Sequence, residues 1–124
     1  MIVIAAADAP QFTIPGTTFT SLAAPSRGAT ETSVWRVRVA PGNSGVVHQL
    51  TREEIFVVLA GAASVQVGAQ RRDLGAGDTL IVPAGIDFAL SNPGDAPFEA
   101  IALLPVGGEA RIGDAPPFVP PWAA

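Results

Sequence analysis

The sequence predicts an all-β domain with little helix, arranged as a sandwich or barrel. Short runs rich in valine, isoleucine and phenylalanine are separated by glycine, proline and aspartate, a pattern typical of successive strands and turns. No window shows the sustained apolar spacing of an amphipathic helix. The 124 residues, 48% hydrophobic and 15% charged, fit one domain over residues 1–124, and the apolar excess indicates packed sheets or a buried oligomer interface.

The clearest strand candidate spans residues 33–39. Within it Trp35, Val37 and Val39 alternate with Arg36 and Arg38, which is the two-residue period of a strand with one buried face. A Pro-Gly-Asn turn at residues 41–43 ends it. The other strand candidates follow at short intervals, at residues 45–50, 54–60, 63–67, 70–73, 79–82, 87–91 and 98–104.

Two local signals help to place the turns. Gly68-Ala69 is expected to join two strands as a tight hairpin. Residues 51–54, Thr-Arg-Glu-Glu, have the form of a helix capping box. The run that follows is short and β-prone, however, so residues 51–53 are interpreted as a turn and Glu54 as the start of the next strand.

Composition excludes several kinds of chemistry. The chain has no cysteine, lysine or tyrosine, which excludes disulfides, thiolate metal sites, Schiff-base catalysis and a tyrosine acid. The net charge of −4 argues against a nucleic-acid partner, which needs a basic face. The apolar residues 1–7 are short and lack a basic flank, so we expect no signal peptide, no membrane span and a cytoplasmic protein.

Residues 112–124 form a proline-rich tail. Proline lacks the backbone donor that a strand ladder needs, so this segment is expected to run as an extended tail. Phe118 and Trp122 would then dock it on the barrel or on a partner subunit. A loose tail is the alternative, because terminal segments are often poorly held.

Two spaced motifs carry most of the functional information. The first has five positions at fixed spacing: Gly42, His48, Leu50, Glu54 and Gly61. The second motif follows it in the chain and has five more positions at fixed spacing: Gly77, Pro83, Gly85, Phe88 and Asn92. Every gap is similar to that of the paired signature of the cupin superfamily, and the chain resembles a small single-domain cupin.

The resemblance implies a double-stranded β-helix, or jelly-roll barrel, often dimeric, with a ligand site inside. It also implies four metal-ligand positions, of which His48 and Glu54 keep a ligating side chain while Leu50 and Phe88 replace the other two. Zinc sites typically use three or four protein ligands and facial-triad iron sites use three. We therefore expect no tightly bound cofactor, although His48 and Glu54 could hold a divalent metal weakly.

A third ligand would have to come from elsewhere in the chain. Asp87 and Gln49 each lie one residue from a ligand position, but strand alternation points them to the opposite face. Glu99 lies on a later strand whose facing the sequence leaves open.

The replaced positions suggest what the barrel holds. Leu50 and Phe88, with Phe56, are expected to line an apolar ligand pocket; the alternative is that they complete a closed core. His48 and Glu54 are the candidate catalytic pair, with Glu54 orienting His48 and raising its pKa. The alternative for Glu54 is a strand-edge carboxylate paired to Arg36, Arg38 or Arg52.

Arg36 and Arg38 are conditional ligand-binding candidates. They share one face of the first strand candidate. If that face turns inward, both would bind a carboxylate or phosphate; if it turns outward, both are solvated.

Three functional hypotheses follow. The first is a small-molecule-binding cupin with a degenerate metal site, acting as a metal-independent isomerase, cyclase or lyase through His48 and Glu54. The second is a metal-dependent enzyme, such as a dioxygenase, with a rearranged site. The third is a non-catalytic ligand-binding or sensor module. A homodimer is expected in each case.

Overall fold

Nearly all regular structure in the chain is β-strand. The computed structural model describes all 124 residues, Met1 to Ala124. Its eleven strands are β1 Gln11–Ile14, β2 Thr17–Ala23, β3 Thr32–Val39, β4 Gln49–Leu50, β5 Glu54–Ala60, β6 Ala62–Val67, β7 Gln70–Gly75, β8 Thr79–Val82, β9 Phe88–Ser91, β10 Phe98–Pro105 and β11 Ala110–Arg111. The helical segments are three-residue 3-10 turns at Ala6–Asp8, Pro25–Arg27 and Pro121–Ala123, and no helix is long and apolar enough to cross a membrane.

The strands form antiparallel sheets arranged as a jelly-roll barrel. The larger sheet has six strands in the order β1-β2-β3-β10-β5-β8, and smaller sheets have the orders β7-β6-β9 and β11-β4. A bridge between His48 and Phe88 links the segment before β4 to β9. A core of 17 buried residues, drawn from all three sheets, fills the interior. The prediction of an all-β fold with little helix is confirmed.

Strand β3 shows how the sequence sets the two faces of the large sheet. Trp35, Val37 and Val39 are buried, whereas Arg36 and Arg38 are exposed. On the neighbouring β10, small alanines stand opposite the two larger side chains, with Ala102 facing Trp35 and Ala100 facing Val37 in the register. Ala100 and Ala102 are fully buried, and their small side chains make room in the core for the larger residues of β3.

Three strands lie outside the sequence prediction, and one is shorter than predicted. Strand β1 has only four residues and β11 only two, and β2 has three threonines among its seven residues, so none gives a clear periodic signal. The candidate at 45–50 retains strand structure only at Gln49–Leu50. The preceding loop passes close to the backbone of Leu90, where any side chain on Gly45 would collide with the Leu90 carbonyl.

The capping-box sequence does not start a helix. Residues 51–53 form a turn and β5 begins at Glu54, as the sequence suggested. Thr51 accepts a hydrogen bond from the amide of Glu109 at 2.8 Å and donates its own amide to the Glu109 carbonyl at 2.9 Å. Its hydroxyl therefore joins two loops and is not used to cap a helix.

The end of the tail lies against the barrel through an array of serine hydroxyls. Ser21, Ser33 and Ser26 each donate at 2.7 Å to successive tail carbonyls, those of Trp122, Ala123 and Ala124 respectively. Ser21 and Ser33 are buried, with 1% exposure each. The Phe19 and Trp122 rings stack with centroids 3.6 Å apart. These contacts fix residues 121–124 on β2, β3 and the turn between them.

One half of the outer surface of the large sheet is aliphatic. We use the name outer aliphatic face for the branched residues on β3, β5, β8 and β10 whose side chains point away from the core: Val34, Ile55, Val57, Leu59, Ile81, Ile101 and Leu103. Leu103 pairs with Val34 and Ile55, and Ile55 pairs with Ile81, so these residues are neighbours across four strands. Ile81 is 56% exposed and Leu59 44%.

Candidate functional site

A cavity of about 220 Å³ lies inside the barrel, between the inner face of the large sheet and the loop before β4. Fourteen of its 22 lining residues are hydrophobic. The tail forms part of its wall, so a segment remote in sequence from both motifs contributes to the site. The aromatic lining residues are Phe19, Trp35, Phe56, Phe88, Phe118 and Trp122.

His48 lies on the cavity wall just before β4. Its backbone is fixed to Phe88 by two hydrogen bonds, of 3.0 Å from the His48 amide and 2.9 Å from the Phe88 amide. The imidazole ring packs against the Phe88 ring with centroids 4.2 Å apart. Nδ1 lies 2.7 Å from the carbonyl oxygen of Val46. A carbonyl only accepts, so Nδ1 carries the hydrogen and Nε2 is the unprotonated nitrogen of the neutral ring.

Burial lowers the pKa of His48, and the hydrogen bond to Val46 opposes this shift only in part. The expectation that a neighbouring carboxylate raises the pKa of His48 is therefore wrong. No hydrogen bond joins Glu54 to His48, and the carbonyl of Val46 orients the ring. The neutral ring offers its Nε2 lone pair as a hydrogen-bond acceptor or base.

Glu54 is the first residue of β5, and its side chain points into the barrel. It is only 4% exposed and lines the cavity, yet Oε2 has no hydrogen-bond partner in the protein. Because burial penalises the charged form, the pKa of Glu54 is raised to about 8. At neutral pH this carboxyl is mostly protonated and can donate a hydrogen bond into the cavity.

The alternative in which an arginine neutralises Glu54 does not occur. The one ion pair in the structure joins Arg38 to Glu99, with 3.5 Å between Nε and Oε1. Arg36 and Arg38 lie on the outer side of β3, and neither lines the cavity. Their proposed role in binding a ligand is corrected, because Trp35 and Val37 occupy the inward positions of that strand.

Leu50, Phe56 and Phe88 lie on the cavity wall at 3%, 7% and 2% exposure. Their packing is tight, and the Phe56 and Phe88 rings meet edge to face with centroids 6.2 Å apart. The interior nevertheless keeps the cavity beside them, so these three side chains bound an internal space and do not close it.

The donor set around His48 and Glu54 does not fit a tightly held metal ion. No group of three or more histidine, cysteine, aspartate or glutamate side chains is placed to share an ion. Asp87 accepts a hydrogen bond from Gln49 at 2.9 Å, and neither residue lines the cavity. Glu99 is held by Arg38. Glu54 and His48 together offer two ligating side chains, fewer than the three protein ligands that zinc and facial-triad iron sites use.

Sequence reasoning missed several cavity residues. Phe19 comes from a strand that was not predicted, and Ile112 follows β11, which was not predicted either. Phe118 and Trp122 were expected to dock on the barrel, but nothing in the sequence placed them on the wall of the same cavity as His48. The one sequence signal for such a residue is Phe19 itself, an aromatic side chain within a threonine-rich run, which indicates a buried position.

Asn92, the last position of the second motif, has a structural role. It is fully buried, and its side-chain amide donates to the carbonyls of Val39 and Ala96 at 3.1 and 2.7 Å. Its backbone exchanges hydrogen bonds with the first motif, accepting from Gly42 and donating to Asn43, both at 2.8 Å. The two motifs are thereby held together beside the cavity.

Comparison with known proteins gives several matches. Mannose-1-phosphate guanylyltransferase ManC of Salmonella typhimurium is 35% identical over 71 residues, which cover 56% of this chain but only 15% of that enzyme. The polyketide cyclase RemF of Streptomyces resistomycificus superposes with a TM-score of 0.76 at 18% identity, covering 85% of this chain and 79% of the cyclase. A sugar phosphate isomerase of the cupin superfamily from Silicibacter pomeroyi gives a TM-score of 0.68 at 22% identity, covering 82% of this chain and 68% of the isomerase.

At these identities the two structural matches show the fold alone. The family model described as the cupin domain matches residues 35–104, more than half of the chain, and this span includes both motifs. With the jelly-roll fold and the motif residues in place around one cavity, the chain belongs to the cupin domain family.

Proposed function

We propose that this cupin binds a small, hydrophobic, carbonyl-bearing compound and moves a proton on it, with His48 as base and Glu54 as acid. The reaction class is an isomerisation, cyclisation or elimination that passes through an enol. The observation that supports it most directly is the Glu54 carboxyl, which is buried in a largely apolar cavity without a protein partner. A buried polar group without a partner is costly, so a ligand oxygen that accepts from it would be bound strongly.

The two groups have complementary protonation states for this chemistry. Nε2 of the neutral His48 ring takes a proton from the carbon next to the substrate carbonyl, and the C–H electron pair becomes the new C=C bond. The carbonyl oxygen receives the proton of Glu54, which leaves an enol, a carboxylate and an imidazolium. The enol oxygen then returns its proton to the Glu54 carboxylate while the imidazolium gives its proton to the same or to another carbon, which completes the turnover. General acid–base catalysis of this kind contributes about 10²- to 10⁴-fold.

The metal-dependent alternative receives less support from the chain's own residues. Two of the four positions at which the cupin resemblance implies ligands hold Leu50 and Phe88, and no third ligating side chain faces His48 and Glu54. The derived chemistry therefore uses the imidazole and the carboxyl alone. The likeness to a polyketide cyclase and a sugar phosphate isomerase is compatible with enol chemistry in this fold.

Deuterium exchange on a probe ketone tests the proposal. 2-Acetylnaphthalene is hydrophobic and uncharged, and its methyl protons are acidic only through the adjacent carbonyl. We expect the protein to accelerate incorporation of deuterium from D₂O into that methyl group, followed by proton NMR. His48→Gln removes the base and Glu54→Gln removes the transferable proton, and each should slow exchange by about 100-fold or more.

Gln49→Ala is the matched control, because Gln49 adjoins His48 in sequence but does not line the cavity. Its exchange rate should equal that of the unchanged protein. Binding of the ketone without any accelerated exchange would support a non-catalytic binding module. Exchange that survives both Gln substitutions but disappears with a chelator would support the metal-dependent alternative.

We also propose that two copies of the chain associate through the outer aliphatic face. Large contiguous apolar patches on a protein surface usually mark an interaction site, and symmetric pairing of one patch is the commonest arrangement for a homo-oligomer. The face extends over four strands, and the charged residues Arg36, Arg38 and Glu99 lie at its border on β3 and β10. A second copy would remove the aliphatic side chains from water.

A further inference from the structure

We propose that the cavity selects uncharged, flat aromatic compounds of one or two rings and rejects phosphorylated and carboxylated compounds of the same shape. The proposal concerns the ligand of the same site and rests on the proposed function. The experiment measures binding separately from turnover. The selectivity follows from the charge, the shape and the few polar groups of the cavity wall.

No cationic side chain faces the cavity. The chain has no lysine, and none of its arginines lines the cavity. Arg111 lies between the lining residues Ala110 and Ile112, but strand alternation turns it outward and it is exposed. A phosphate or carboxylate bound here would lose its hydration without meeting a counter-charge, which is strongly unfavourable. The only acidic lining residue is Glu54, whose carboxyl offers no counter-charge to an anion.

The wall is unusually aromatic. Six of the chain's eight phenylalanine and tryptophan residues line this one cavity. The Phe19 and Trp122 rings stack parallel within 1° and join the large sheet to the tail, whereas the Phe88 ring is tilted at 47° to the His48 ring. Flat faces and ring edges together suit an aromatic guest, which interacts well both by stacking and edge to face.

The cavity size limits the guest. Pockets for drug-sized ligands usually measure about 300–1,000 Å³, whereas this cavity measures about 220 Å³. One or two fused rings are therefore the upper range for the part of the ligand inside the barrel. A sugar would fit by size, but its many hydroxyls would find few partners. Apart from His48 and Glu54, the polar side chains of the lining are Thr17 and Asn43, which a 2.9 Å hydrogen bond joins to each other, and Ser44, which is exposed to solvent at the rim.

Two groups remain to orient such a guest. The Glu54 carboxyl donates towards a carbonyl oxygen, and Nε2 of His48 accepts from a hydroxyl or an acidic C–H. An aromatic ketone satisfies both groups and needs no further polar contact. The same two interactions position the carbon that His48 deprotonates under the proposed function.

A matched series of naphthalenes tests the selectivity by calorimetric titration at pH 7. 2-Acetylnaphthalene, 2-naphthoate and 2-naphthyl phosphate share one ring system and differ in charge, and mannose 1-phosphate adds a charged sugar. We expect the ketone to bind at least 10-fold more tightly than either naphthalene anion, and mannose 1-phosphate not to bind. Equal or tighter binding of 2-naphthyl phosphate would overturn the proposal, as would failure of the ketone to bind.

A substitution at the cavity mouth tests the charge directly. Ile112 lines the cavity and is 46% exposed, so Ile112→Arg adds a cation without burying it fully. This variant should gain at least 10-fold in affinity for 2-naphthyl phosphate. Val47→Arg is the control, because Val47 is 55% exposed but does not line the cavity. No gain for Ile112→Arg, or the same gain for both variants, would contradict the charge explanation.

The outcomes separate this selectivity from the catalytic proposal. Selective binding of 2-acetylnaphthalene without deuterium exchange would support the ligand class and overturn the acid–base function. Exchange catalysed equally well on the neutral ketone and on 6-acetyl-2-naphthoate, which carries the same ketone with an added carboxylate, would support the function and overturn the ligand class.

Discussion

The Phe88 ring packs against the His48 imidazole with centroids 4.2 Å apart. Phe88 stands at the position where the family resemblance implies a histidine ligand. In its place is a ring that cannot ligate an ion and that presses on the one remaining imidazole. Leu50, at the other replaced position, lies on the cavity wall at 3% exposure. The cupin fold is therefore present, while two of the four positions at which the resemblance implies ligands carry apolar side chains.

Restoring the two histidines should restore metal binding. A Leu50→His/Phe88→His variant would carry four potential ligands on the wall of one cavity, a donor set that suits zinc or nickel. We expect about one equivalent of metal by elemental analysis after loading and gel filtration, against well under 0.2 for the unchanged protein. One equivalent in the unchanged protein would contradict our interpretation of the site.

The control variant carries its two substitutions at Gln49 and Asp87, each one residue from Leu50 or Phe88 in sequence. Gln49 and Asp87 form a hydrogen bond to each other outside the cavity. A Gln49→His/Asp87→His variant adds the same two imidazoles where they cannot meet His48 and Glu54. Metal uptake by this control equal to that of the first variant would show nonspecific binding by added histidines.

The fold could be predicted from the sequence because two kinds of signal agreed. The alternation around Trp35 and the turn residues between strands indicated an all-β fold, and the motif spacing indicated a jelly roll. The bounds of β5 and β8 match the predicted strands. Strand β2 could not be found, since its two large apolar residues, Phe19 and Leu22, are three positions apart and do not give the two-residue alternation that marks a buried face.

The site could be predicted only in part. Motif register placed His48, Leu50, Glu54 and Phe88 together, because neighbouring strands fix these positions. The protonation state of Glu54 could not be predicted, since it depends on the absence of a hydrogen-bonding or charged side chain near it in the folded barrel. The alternation in β3 placed Arg36 and Arg38 on one face of the strand. Only the packing of the folded barrel shows that this face is the outer one. The part played by Trp122 depended on a contact with Phe19, about a hundred positions earlier in the chain.

The stability of the protein should fall as pH rises from 6.5 to 8. Burial raises the pKa of Glu54 to about 8 from its usual 4.5, so in this range the folded chain holds a proton that the unfolded chain has lost. Stability then decreases with pH, by up to about 1.4 kcal/mol per pH unit for one proton. Below 6.5 the lowered pKa of His48 acts in the opposite direction, because the unfolded chain binds the extra proton.

Urea denaturation at several pH values measures this dependence. Glu54→Gln cannot ionise, so its free energy of unfolding should lose most of the slope between pH 6.5 and 8. Relative to the unchanged protein, the free energy of unfolding of the variant should therefore increase as the pH rises. Parallel pH profiles for the two proteins would show that Glu54 is not the group responsible.

The buried serine anchors of the tail should contribute more to stability than the exposed one. Ser21→Ala and Ser33→Ala each remove a buried donor and leave a tail carbonyl unsatisfied, which costs about 1–3 kcal/mol. Ser26 makes the same 2.7 Å bond to Ala124 but is exposed, so Ser26→Ala should change stability by less than about 0.5 kcal/mol. Chemical denaturation measures all three, and equal losses would contradict a role for burial.

The outer aliphatic face should hold two copies together in solution. Ile81 lies on the edge strand β8 of that face and is 56% exposed. Ile81→Arg would place a charge in the contact between the two copies, where an unpaired charge is costly. We expect the unchanged protein to sediment as a dimer and Ile81→Arg to dissociate at least 10-fold more readily in analytical ultracentrifugation. Thr13→Arg is the control, because Thr13 is exposed on β1 at the opposite edge of the same sheet, away from the aliphatic residues. A monomer for the unchanged protein at every concentration, or dissociation by Thr13→Arg to the same extent, would mean that this face does not form the dimer.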